Sequence, residues 1–227
     1  MDINKINTDL QLFWDEFFLQ HQAQKIEKSQ AKVEHDLDLY IKEVGDRCAH
    51  ILDLGCGSGY AILTASLLGE SMKTGLAVDP SKVAIKTLEK TMELSNIEGI
   101  KTMVGTHEDL SQYQDQSFDG LLSSNVLDVV PLETSNAMIK EMDRLLQPGG
   151  LLMLKLNFLL TEDIIKRTKA EEIAPNTYTI NGVLRSYNLS TEDWIARFEN
   201  FTLLKQTTYE RIKNGPLDRV LLFQKNN

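Results

Sequence analysis

The chain has 227 residues, 42% of them hydrophobic and 25% charged, enough to bury a full core without cross-links and too apolar for a disordered segment. Its formal net charge is −9 and no stretch is strongly basic, which disfavours nucleic acid as a partner and favours a small or neutral substrate. The two cysteines, Cys48 and Cys56, form neither a metal nor a disulfide pattern, no apolar run is long enough to cross a bilayer, and Met1–Lys5 lack the basic start of a signal peptide. The expectation is a cytoplasmic protein with reduced thiols and no membrane association, with a homodimer left open.

The first fifty residues carry a helical pattern. Ile6, Leu10, Phe13 and Phe17, with Trp14 and Phe18, mark an aromatic face, and Ile26, Val33, Leu37, Ile41 and Val44 continue it. From about residue 50 to residue 156, strand and helix signals alternate, implying a parallel sheet with crossover helices. Ile51–Leu54 is an apolar strand that breaks into Gly55-Cys56-Gly57-Ser58-Gly59, and Ala61, Ile62, Ala65 and Leu68 then recur at helical spacing. A second strand spans 74–79 and ends on Asp79. Pro80-Ser81 opens a helix to about Asn96, and a third strand at 100–104 leads into Gly105-Thr106-His107-Glu108-Asp109. A fourth strand at 118–123 exits through Ser124-Asn125. Pro131 starts the next helix, and Gln147-Pro148-Gly149-Gly150 turns into a fifth strand at 151–156.

The last third changes character. Residues 162–190 read as a short helix followed by a hairpin, 178–180 and 183–185, turning at Asn181-Gly182. Ser190 caps a helix carrying Trp194, Ile195 and Phe198. Two strands, about 202–210 and 217–224, flank Asn214-Gly215-Pro216 as an antiparallel pair.

Glycines at alternate positions between a strand and a helix leave backbone N–H groups free beside the positive end of a helix dipole. A dinucleotide turn spaces its glycines G-x-G-x-x-G, whereas here the spacing is G-x-G-x-G and bulky Tyr60 stands where the last glycine would be. With Asp53 two residues upstream, D-x-G-x-G-x-G resembles motif I of the class I S-adenosylmethionine (SAM)-dependent methyltransferases. The resemblance covers about residues 48–156. It implies an α/β fold with a doubly wound, mostly parallel seven-stranded sheet closed by an antiparallel C-terminal hairpin. An N-terminal helical cap would span residues 1–46, and the SAM-binding domain residues 47–227 with an insertion at about 160–190.

The resemblance also implies site residues. Gly55, Gly57 and Gly59 would approach the amino-acid end of SAM, and Asp53 would meet its ammonium. Asp79, twenty positions beyond Gly59, would accept the ribose hydroxyls. His107 would offer its backbone to adenine, with Glu108 or Asp109 accepting from the exocyclic amine, and Asn125 would border the methionine part. A general base is not identified: His21, His35, Glu16, Tyr40, Asp128 and Tyr187 are candidates, and no catalytic residue or metal ligand is assigned.

The reading is a methyltransferase acting on a small molecule by in-line displacement. Alternatives are an RNA or protein methyltransferase, a non-catalytic SAM-binding regulatory module and, opposed by Tyr60, a nucleotide-binding dehydrogenase.

Overall fold

The computed structural model describes residues 3–227, with side chains from Asp9 onward; Ile6 of the predicted aromatic face therefore lies outside the described side chains. In chain order the elements are α1 (Ile3–Leu19), α2 (Asp36–Arg47), β1 (His50–Leu54), α3 (Tyr60–Leu68), β2 (Thr74–Asp79), α4 (Lys82–Ser95) and β3 (Ile100–Val104). Next come β4 (Phe118–Ser124), α5 (Leu132–Leu145), β5 (Leu146–Leu156), α6 (Glu162–Thr168), β6 (Glu171–Ala174), β7 (Thr177–Ile180) and β8 (Val183–Tyr187). The chain closes with α7 (Thr191–Ile195), β9 (Phe201–Glu210) and β10 (Leu217–Lys225).

Seven strands form one sheet in the order β3-β2-β1-β4-β5-β10-β9. The first five are parallel, while β10 runs antiparallel to both β5 and β9. Strand periodicity divides the core between the two faces. Ile51, Leu122, Met153 and Leu222 pack towards α2, α3 and α4, and their neighbours Leu52, Leu121, Leu152 and Phe223 pack towards α5 and Trp194 of α7. Asp53 sits between two apolar neighbours and falls on the first of these faces. It is a polar residue placed by register inside a core strand.

The ends of the chain depart from expectation. The predicted helical pattern of residues 1–50 is two helices separated by an extended stretch with only a short 3-10 turn at Lys28–Gln30, so Ile26 and Val33 are not helical. The predicted cap of residues 1–46 divides accordingly. Leu37, Tyr40, Ile41 and Val44 of α2 are buried in the sheet's core, whereas α1 packs on α4 and β8. The predicted hairpin gains a third strand, β6, to make a separate sheet β6-β7-β8. No helix among the described residues is long and apolar enough to cross a membrane.

Leu122 is fully buried between α2 and the strands flanking β4. Truncation to alanine is expected to cost about 2–5 kcal/mol through lost transfer energy and the cavity left behind, read as a lower urea midpoint at unchanged slope.

Candidate active site

After β3, at one edge, the chain returns past β1 to form β4. Neighbouring crossovers there leave in opposite directions, opening a crevice at the carboxyl ends of β1 and β4. A cavity of about 620 Å³ occupies it, floored by Asp53 and the glycine turn and roofed by Phe13, Trp14, Phe17 and Phe18 of α1. The roof rings meet edge to face, with centroids 5.2 Å apart for Phe13–Trp14 and 5.4 Å for Trp14–Phe17. Two polar contacts fasten α1 to the turn after β2: the Ser81 hydroxyl donates to Asp15 Oδ1 at 2.5 Å, and Gln11 Nε2 donates to the Pro80 carbonyl at 3.4 Å.

The turn itself is strained against any side chain. Gly57 has φ +52° and a Cβ there would stand 2.8 Å from Phe18 Cζ; Gly59, the residue before α3, has φ +91° and would meet Leu88 Cδ1 at 2.3 Å. Gly57 and Gly55 both face the cavity.

Asp53 is 1% exposed. Its Oδ2 accepts from the Ile62 N–H of the first turn of α3 at 3.1 Å, and its Oδ1 is buried with no hydrogen-bond partner among the described residues. Burial, with a smaller contribution from the charge of Asp79, pushes its carboxyl up to about 7. Asp79 accepts from the Gly57 N–H and the Ser81 N–H, each at 2.8 Å. Burial, aided by Asp15 across the α1 contact, pushes it up to about 6.

At the other side of the crevice Asn125 adopts φ +58°, and its Oδ1 accepts from Lys155 Nζ at 2.5 Å. Lys155 is buried against Asp218 at 2.8 Å, and desolvation lowers its pKa. A second chamber of about 320 Å³ opens here, sharing Tyr60, Ser124, Asn125 and Arg211 with the first and adding His35, Lys155 and Tyr209.

Of the residues expected at the site, Asp53, Gly55, Gly57, Asp79 and Asn125 line the main cavity, while Gly59 serves the turn behind it. His107 and Glu108 stand outside the lining, on the 3-10 turn His107–Gln112 beyond β3. Asp109 caps that turn, its Oδ2 accepting from the Thr106 N–H at 2.8 Å. The base candidates scatter. His21 lines the main cavity and His35 the second chamber, whereas Glu16 is exposed and Tyr40 is in the core. Asp128 is buried and accepts from the Asn157 N–H at 2.7 Å, and Tyr187 packs against the core. Sequence reasoning missed Arg185 and Arg211, which also line the main cavity. Neither lies in a motif, and strand alternation alone does not say that β8 meets α1.

Residues 52–154 match the family described as a methyltransferase domain. That segment, a little under half of the chain, is similar to a methyltransferase domain and holds Asp53, the glycine turn, Asp79 and Asn125. Among curated relatives, the ribosomal protein L11 methyltransferase of Geobacillus kaustophilus is 25% identical over 160 residues, covering 70% of this chain and 44% of that protein. The enzyme of the same name from Acetivibrio thermocellus is 30% identical over 94 residues, 41% of this chain and 28% of that protein. The chain thus spans less than half the length of these relatives. Among solved structures, Burkholderia thailandensis 1,6-didemethyltoxoflavin-N1-methyltransferase, with 1,6-didemethyltoxoflavin and S-adenosylhomocysteine bound, superposes with a TM-score of 0.70 at 13% identity, over 100% of this chain and 92% of that one. A SAM-dependent methyltransferase from Methanosarcina mazei superposes at 0.64 with 22% identity, over 78% and 92%. At these identities the likeness is one of fold, and the fold is that of the SAM-dependent methyltransferases.

A carboxyl raised in the folded state favours folding while it is protonated. For Asp53 that contribution is complete below about pH 4, where the unfolded carboxyl also protonates, and is lost as pH rises to about 7. Ligand-free Asp53→Asn is therefore expected to exceed the parent in urea midpoint at pH 8, with the margin shrinking towards pH 4. An equal margin at both pH values would contradict the assigned cause.

Proposed function

We propose that this protein transfers a methyl group from SAM to a small-molecule acceptor by in-line displacement. The observation that carries the proposal is the buried Oδ1 of Asp53, without a partner among the described residues. Asp53 lines the cavity beside a glycine turn whose N–H groups are already engaged, Gly55 with the Val78 carbonyl, Gly57 with Asp79 and Gly59 with the Cys56 carbonyl. A buried charge without a partner costs several kcal/mol, on the order of what breaking a buried ion pair costs, and an ammonium group relieves it. The amino-acid end of SAM offers that ammonium. Asp79 has used one lone pair on each oxygen for backbone N–H groups, and its remaining pairs suit the two ribose hydroxyls. Beyond it, the His107 backbone and the Glu108 carboxylate suit adenine; Asp109 is committed to Thr106, so Glu108 is the acceptor assigned to the exocyclic amine.

SAM, held by Asp53 and Asp79, would supply an activated methyl group for transfer to the acceptor's nucleophilic atom, leaving S-adenosylhomocysteine. The chain's own part is geometry. In-line placement of two reactants supplies roughly 7–11 kcal/mol of the barrier reduction. Asp53 and Asp79 orient one reactant from the floor. The aromatic face of α1, which we read as the cap, excludes water and bounds the space for the other. The limited volume beneath those rings, about 620 Å³, is what favours a small acceptor. A protein acceptor is the second reading, supported by the likeness to ribosomal protein L11 methyltransferases, of which this chain spans less than half.

Calorimetry is expected to show SAM binding, weakened roughly tenfold to a hundredfold in Asp79→Ala by loss of charge-assisted hydrogen bonds. Gly57→Val, which forces a side chain at φ +52° against Phe18, is expected to weaken it as well. Affinity unchanged in both variants would remove the site assignment. For the reaction itself, transfer of labelled methyl from SAM into a low-molecular-weight extract is the decisive assay. Label appearing only in protein would favour the second reading, and a SAM-loaded protein that labels nothing would favour a silent binder.

A further inference from the structure

The cavity has two charged ends. Asp53 and Asp79 lie on the floor by the glycine turn, while Arg185 of β8 and Arg211, just past β9, reach the opposite wall. Arg185 is held in place by the roof: its guanidinium carbon lies 4.4 Å from the centroid of the Phe13 ring and 5.9 Å from that of Trp14. Among the described residues it makes no hydrogen bond and no ion pair. Burial lowers its pKa, and the charge of Arg211 lowers it further, so the two guanidiniums are close enough to repel each other.

The carboxylates around this end are already committed. Asp218 holds Lys155 at 2.8 Å, and Arg211 Nε stands farther off at 3.8 Å. Asp128 is tied to the backbone and side chain of Asn157 at 2.7, 3.1 and 3.2 Å. Asp38 accepts from the Tyr60 hydroxyl at 2.5 Å and from the Glu34 and His35 N–H groups at 2.9 and 3.0 Å. Two cations lining one cavity, Arg185 largely buried and Arg211 half exposed at its mouth, with the local acids otherwise engaged, leave a place for an anion supplied from outside. A guanidinium presents paired donors in a plane, which match a carboxylate bidentately. Between the two charged ends the wall is apolar and aromatic, formed by Val126, Val129, Val130 and the rings of α1.

We propose that Arg185 and Arg211 bind the carboxylate of a planar, largely apolar acceptor, so that the substrate class is an aromatic or heteroaromatic carboxylate. This rests on the methyltransferase reading above. It places acceptor choice in the β6-β7-β8 sheet and the β9–β10 turn, both outside residues 52–154 that match the family. A carboxylate is also present in the cofactor's own amino-acid end, and the test separates the two sources.

The experiment titrates protein preloaded with S-adenosylhomocysteine with benzoate, nicotinate and 2-naphthoate and with their uncharged amides, read by calorimetry and thermal shift. The same series is repeated on Arg185→Gln, Arg211→Gln and Arg185→Lys. At least one carboxylate is expected to bind and its amide to bind much more weakly. Each glutamine variant is expected to lose roughly tenfold to a hundredfold in carboxylate affinity, as for a lost hydrogen bond to a charged group. The lysine variant should fall between, because it keeps charge but not the fork. Affinity for S-adenosylhomocysteine should stay unchanged throughout. Equal binding of acid and amide, no carboxylate binding to the loaded protein, or full carboxylate affinity in both glutamine variants would overturn the proposal. Loss of S-adenosylhomocysteine affinity in the glutamine variants, with binding of decarboxylated SAM untouched, would also overturn it by assigning the arginines to the cofactor's carboxylate. Failure of the parent protein to bind S-adenosylhomocysteine at all would sink the methyltransferase reading and this proposal with it.

Discussion

Much of the site follows from one carboxylate placed where water does not reach. Asp53 stands among parallel strands, one residue from the turn, on a strand whose other buried side chains are apolar. Its Oδ2 holds the start of α3 through the Ile62 N–H, and its Oδ1 has no partner among the described residues. The position is set by register: a slip of one residue would move Asp53 to the α5 face and bring Leu52 or Leu54 to the turn. The fold thus keeps a buried acid that is costly when charged and alone. Under the proposed function, the ammonium of SAM is the group that offsets that cost.

The remaining parts arrange themselves around this acid. The second acid, Asp79, donates nothing and accepts twice from the turn and from Ser81, so the shape of the glycine turn and the start of α4 depend on the same side chain. Ser81 then caps α4 through the Ala84 N–H at 3.1 Å and also holds α1 through Asp15. A single chain of hydrogen bonds therefore runs from the cavity floor to its roof. The charge of Asp15 on that helix in turn helps to raise the Asp79 carboxyl.

The central strands were legible because each is a short apolar run bounded by glycine, proline or an acid: β2 and β3 fall where the sequence puts them, and Ser81 caps α4 as its position suggests. The glycine turn was legible because G-x-G-x-G after an apolar strand leaves few physical alternatives. The stretch between α1 and α2 was misread, since Ile26 and Val33 fit a helical period by chance while the chain there is extended apart from one 3-10 turn. The strand β6 was missed because Glu171-Glu172-Ile173-Ala174 has little apolar alternation and is largely exposed. Arg185 and Arg211 were invisible for another reason. They reach one cavity because β8 packs on α1 and the β9–β10 turn comes to the same crevice, a long-range arrangement that no local pattern encodes.

The central claim is that the cavity at the carboxyl ends of β1 and β4 seats SAM by its charges, with the ammonium on Asp53 and the ribose on Asp79. A crystal structure with S-adenosylhomocysteine bound tests it most directly. The account predicts the ligand's amino group within hydrogen-bond reach of Asp53 Oδ1, bridged by no more than one water, and the ribose hydroxyls on Asp79 beneath the rings of α1. A ligand seated elsewhere, or lying in this cavity with its amino group away from Asp53, would contradict it.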